Sequence, residues 1–262
     1  MNYLIVIIIS IFTFGCSSTP YKVSKKVIQD NITSIAVINF YSPNPLHYRR
    51  TELTSIITPK VVSTLKSKGY KVIGTEITEP IFEQVNQDLG GYTDSTSGVF
   101  DQEKYNKVLL ETYARIQRDY GANGFISQEI SIRVINFNHN IAMWDGVREN
   151  VLLREPNIVE QVLTSMFVNQ HGTINGLSYC SELVDINNQQ LYIDCGGLEL
   201  ITKIKVESLD DDNSKRLVHN NVKKVPKTKS SFVAIPVPET LNDHRKITDA
   251  VEISLDKLVG VK

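Results

Sequence analysis

Cysteine is scarce in this 262-residue chain: there are three, Cys16, Cys180 and Cys195. No two stand at C-x-x-C spacing, which excludes the common dithiol redox motif. None of the five histidines (His47, His139, His171, His219, His244) pairs with another histidine or a cysteine at ligand spacing, so a zinc site is not expected. Neither sign of charge is in excess. The net charge is −1, and such a balance gives no field to attract nucleic acid. "GANG" (Gly121 to Gly124) lacks the Gly-Lys-Ser/Thr of a phosphate loop, and no Gly-x-Ser-x-Gly elbow occurs. "LDDDNS", with Asp210, Asp211 and Asp212, lacks the spacing and final Glu of a calcium loop and reads as a solvated turn. No cofactor and no catalytic residue are therefore expected. Internal repeats and low-complexity tracts are also missing. A charged fraction of 22% is that of an ordinary globular chain.

What the chain does have begins at its N-terminus. Tyr3 to Phe14 is apolar except for Ser10 and Thr13. The run is too short to span a bilayer, which takes about 20 apolar residues, but it suits the apolar region of a secretory signal. Gly15 and Cys16 follow, then a polar stretch, Ser17 to Asp30. This order resembles a bacterial lipobox, in which the cysteine receives lipid and becomes the new N-terminus. Thr13 stands where that motif usually has Leu, and no Lys or Arg precedes Cys16. An uncleaved anchor and an ordinary cleaved signal are the alternatives. The resemblance divides the chain into a signal peptide (1–15), a lipidated tether (16–30) and one domain (31–262). Ser17 in place of Asp resembles an outer-membrane address.

Within the domain, "SIAVINF" (Ser34 to Phe40) reads as a buried strand. Leu53, Ile57, Val61 and Leu65 make one helical stripe, with Pro59 either kinking that helix or opening it behind Thr58. A short strand at Tyr70 to Ile73 and a brief helix over Pro80 to Asn86 follow. Asp101 caps a long helix that stops at Gly121, and Gly124 to Phe137 is a long strand. Residues 139–173 have no clear period and read as an insertion, with helical character from Pro156 to Phe167. Strands are expected at Gly176 to Asp185, Gln190 to Glu207, Arg216 to Val222 and Ser231 to Ile235. Ile247, Val251, Leu255 and Leu258 line a C-terminal helix. The predicted fold is α/β: a mixed sheet packed by helices, in the order β-α-β-α-β, hairpin, terminal helix.

Cys180 and Cys195 flank "SELVDINNQQLYID". Asn187-Asn188 can turn a hairpin, because asparagine tolerates the left-handed conformation. A hairpin centred there pairs positions that add to 375, as 180 and 195 do. Directly opposed residues are within disulfide reach, and a secreted protein meets an oxidising compartment. A Cys180–Cys195 disulfide is expected. Free buried thiols or a slipped register are the alternatives.

Three stretches, in order, are similar to the superfamily of the curli secretion channel and the penicillin-binding-protein activators. They are "SIAVINF" with "LTSIITPKVVSTLKSKGYKVI", then "RIQRDYGANGFISQEISI", then "ELVDINNQQLY". They span Ser34 to Tyr192 with gaps. Gln189 departs from the Gly usual in the turn, and residues 139–173 have no counterpart. The resemblance implies a non-enzymatic, lipid-anchored periplasmic domain at the outer membrane that binds an envelope protein or assembles with itself. A channel subunit is disfavoured, because Glu129, Arg133, Asp185 and Asp194 interrupt the long strands. A solute-binding or enzymatic domain on the same fold is the other alternative. Trp144, the single tryptophan, lies in the insertion and is the candidate partner contact. Lys223, Lys224, Lys227 and Lys229 form a basic patch that is either a solvated loop or a contact for anionic lipid or glycan.

Overall fold

A computed structural model describes residues 19–93, 99–153, 171–208, 228–236 and 241–261. Cys16, the helix expected over Pro156 to Phe167, the strand expected over Arg216 to Val222, and Lys223, Lys224 and Lys227 lie outside these residues.

The fold is α/β, with a seven-stranded mixed sheet and a separate two-stranded ribbon. Its centre is β3 (Gly124–Asn138). The first part of β3 runs parallel to β1 (Ser34–Tyr41), which is flanked in turn by parallel β2 (Lys71–Ile73). The opposite edge of β3 pairs antiparallel over its whole length with β6 (His171–Val184), and β6 pairs with β7 (Gln190–Leu200). The last two residues of β3 pair with β4 (Ile141–Trp144), which forms a hairpin with β5 (Val147–Asn150).

Alternation along the strands separates two cores. Ile126 and Ile130 face a cluster built with α1 (Lys25–Asn31), α2 (Arg50–Ser67) and α5 (His244–Asp256). Phe125 faces a second cluster with α3 (Thr75–Asp88) and α4 (Gln102–Tyr120). A third cluster, around Ile135, Phe137, Ile174 and Leu200, lies beneath the β4–β5 hairpin. Close approach of α5 to the sheet requires Gly196, where a Cβ would lie 2.1 Å from the Ala250 carbonyl oxygen.

Several expectations are met. Asp101 caps α4, and Gly121 ends it in the left-handed conformation at φ 74°. Others are corrected. α2 does not begin at Pro59 but runs through it: Leu53, Ile57, Val61 and Leu65 are all fully buried, and that stripe outweighs the lost backbone bond. α3 begins five residues before Pro80, because Thr78, Phe82 and Val85 are anchored in the second core. The strand expected over Gln190 to Glu207 divides at Ile201, whose N–H donates to the Asn175 carbonyl. Beyond it, β8 (Thr202–Ser208) takes β9 (Thr228–Ala234) as its partner instead of β6.

The expected tether is folded over much of its length. Lys22 N–H donates to Leu191, Ile193 N–H donates to Pro20, and the Tyr21 ring packs edge-on against Tyr192. Ser24 then caps α1, whose Ile28 is fully buried. One apolar anchor in a polar heptapeptide is too little periodicity to mark a helix in the sequence.

Candidate functional site

The distal halves of β3 and β6 extend past the end of β1, and the β4–β5 hairpin folds back over one face of this extension. Two tight turns build the hairpin. His139 and Asn140 carry φ of 49° and 62°, and Asp145 and Gly146 carry 41° and 82°, the pattern that matches strand twist in a two-residue turn. Its tip is clamped to the sheet. Asp145 accepts from Ser178 Oγ at 2.7 Å and, through its carbonyl, from Gly197 N–H at 2.8 Å.

Trp144, the expected partner contact, is half-buried at this tip. Its Nε1–H donates to the Leu177 carbonyl at 3.1 Å, and its ring packs on the third cluster. The fold uses this residue to seat the hairpin. The neighbouring Met143 points outward, 68% exposed.

Cys180 and Cys195 face each other in the ladder as expected. Their Sγ atoms are at disulfide distance, 2.06 Å, with Cα atoms 4.1 Å apart. The turn closes on Asp185, whose carboxylate accepts from the N–H groups of Asn187 and Gln189, while Asn188 is left-handed at φ 61°. Arg133 places Nη2 3.1 Å from each sulfur. Beside it, burial pushes the Glu129 carboxyl above the usual range; Arg133 opposes that shift and Glu182 adds to it. Sequence reasoning missed Arg133 and Glu129. Both lie on one face of "QEISIRV", and their approach to the cysteines appears only once β6 and β7 are in register.

On the opposite face Ile132 is 47% exposed and Val134 74%, beside the exposed polar residues Asn136, Thr173 and Asn175. Phe232 on β9 is also exposed. Of the expected basic patch, the backbone of Lys229 lies in β9. Among the described residues no group of three or more His, Cys, Asp or Glu is placed to hold a metal. A shallow groove of about 720 Å³ runs between α2 and α5, where Lys60 pairs with Glu252 and Lys68 donates to the Asp256 carbonyl. No described helix is long and apolar enough to cross a membrane.

No family model and no curated protein matches this chain. Among solved structures, it is similar to lipoprotein GNA1162 of Neisseria meningitidis, at 14% identity and a TM-score of 0.31, over 71% of this chain and 90% of that one. It is also similar to a dodecamer of a PelC variant from Paraburkholderia phytofirmans, at 13% identity and a TM-score of 0.30, over 88% of this chain and 91% of that one.

Proposed function

We propose that this protein is a lipid-anchored outer-membrane lipoprotein that faces the periplasm and works by docking another envelope protein, without catalysis. One observation carries the docking role. The distal β3–β6 extension runs past the end of β1 and presents Ile132 and Val134 to solvent, and Met143 is exposed on the adjoining β4. Apolar side chains held on a rigid ribbon suit a partner surface, since burying each one removes it from water without ordering a flexible loop. The anchor rests on Cys16 behind its apolar run. Each acyl CH₂ buried in the membrane contributes about 0.8 kcal/mol.

Two experiments in cells test this reading. Cys16→Ala is expected to lose metabolic acyl labelling and leave the membrane fraction; continued labelling would overturn the anchor. A photo-crosslinking residue at Met143 is expected to give a discrete adduct with another envelope protein. Its absence, or turnover of a cell-wall substrate by the purified domain, would overturn docking.

A further inference from the structure

Among the described residues, the edge of β3 is paired at both ends and open in the middle. Tyr41 of β1 pairs with Glu129, and Ala142 of β4 pairs with Phe137. From Ile130 to Asn136 the ladder is made with β6 alone, on the other edge. Two geometries show which backbone groups face the gap. Asn138 and Ile141 flank the two-residue turn, so Asn138 directs its N–H and C=O toward β4. Alternation then directs those of Asn136, Val134, Ile132 and Ile130 to the same side. Independently, the 4.1 Å Cα separation of Cys180 and Cys195 marks a non-hydrogen-bonded pair, so Cys180 turns its groups toward Glu129. The odd-numbered residues of β3 therefore bond β6, and the even-numbered ones face the gap. Ile132 and Val134 thus combine exposed apolar side chains with backbone donors and acceptors that have no partner among the described residues.

We infer that this gap is a strand-addition site that takes an extended segment of a partner protein, with an acidic residue between two apolar ones. The inference rests on the docking role proposed above and names its mode. Unpaired N–H and C=O groups at strand spacing are complementary to another extended backbone. Seven residues at about 3.3 Å each give a slot roughly 20 Å long. Apolar side chains on the incoming strand meet Ile132 and Val134 on one face. The intervening residue faces Arg133 on the other. Arg133 is exposed and has no carboxylate within ion-pair distance among the described residues; its contacts are the two neutral sulfurs. A carboxylate on the partner complements it. A second folded copy does not fit. β1 and the β4–β5 hairpin close both ends of the slot, and two-fold pairing centred on it would set two Arg133 guanidinium groups opposite each other, which is destabilising.

The test uses the full chain in detergent and a fluorescent, capped Thr-Val-Glu-Val-Thr peptide. Saturable binding is expected, with the Ile132 and Val134 amides gaining protection from hydrogen exchange. Replacing the peptide's Glu with Lys should weaken binding at least fivefold, and Arg133→Glu should reverse that preference. Val134→Pro should abolish binding while leaving melting and circular dichroism near wild type, because proline is tolerated where a strand N–H faces outward. Binding that survives in Val134→Pro would overturn strand addition. So would slow exchange at Val134 in the free monomer, which would mean that the chain covers its own edge, or self-association that protects the same amides. Failure of the peptide with a persisting Met143 crosslink removes only this inference. Loss of the crosslink removes the docking role itself.

Discussion

Arg133 holds a full positive charge 3.1 Å from both sulfurs of the Cys180–Cys195 pair. A neighbouring cation stabilises thiolate over thiol, and a stabilised thiolate is the better leaving group in exchange. Arg133→Gln should therefore slow reduction of the disulfide by dithiothreitol, by about three- to tenfold. Timed alkylation and mass spectrometry would check this, and an unchanged rate would show that the guanidinium has no electrostatic effect there. The disulfide itself closes a loop with a sequence separation of 15. Loop-closure entropy assigns such a cross-link about 3 kcal/mol. Replacing both cysteines with Ser should lower the denaturation free energy by about that amount in urea titrations. A change below about 1 kcal/mol would mean that the ladder, not the cross-link, sets the register. At this scale the sequence was informative about the cysteines, whose pairing follows from hairpin arithmetic. It was uninformative about Arg133, because that contact crosses from β3 over β6 to β7.

Among the elements, α2 shows a tertiary stripe overriding a local breaker. Pro59 lies in the middle of the helix, where it cannot donate to Ser55. The buried hydroxyl of Thr58 has no hydrogen-bond partner among the described residues, so it does not act as a cap. Pro59→Ala should restore one backbone bond and raise stability by about 1–2 kcal/mol, net of the entropy that proline removes from the unfolded chain. Thermal melts would register this as a higher midpoint; a lower one would show that the Pro59 ring itself is a needed packing element. Strong stripes such as those of α2 and α4 were legible, as were β1 and β3. α1 and the hairpin were not. α1 buries a single isoleucine, and β4 and β5 are four residues each, too short for a period to emerge. The division of the strand at Ile201 depends on which partner is available beyond the end of the β6 pairing, and no property of the residues near Ile201 encodes that choice.

Across the whole molecule, carboxylates titrate in opposite directions. Burial raises Glu129 and Glu199, although Glu199 also accepts from Leu241 N–H, which works the other way. Hydrogen bonds lower the exposed Glu52, Asp88 and Asp119, through Arg49, through Gln84 and Arg115, and through Arg118. A carboxyl raised on folding favours the native state below its ordinary value of 4.5, and that contribution is lost as pH rises through the raised value. Wild-type stability should thus increase as pH falls from 7 toward that ordinary value. Glu199→Gln should flatten the dependence and be no less stable than wild type at pH 7. Denaturant titrations across this range would test it, and a variant with the wild-type slope would show that Glu199 is not the group responsible. The sequence by itself determined the fold class, the central strands and helices, and the hairpin register, because each is written as local periodicity or as a turn between two runs. It also supplied the reading of Cys16 as the anchor. Only the tertiary structure decided that the N-terminal segment folds onto β7, that Trp144 seats a hairpin, and that one edge of the middle of β3 has no partner strand among the described residues. Those outcomes depend on which segments meet, and residues far apart in the chain meet through long-range packing that no local pattern records.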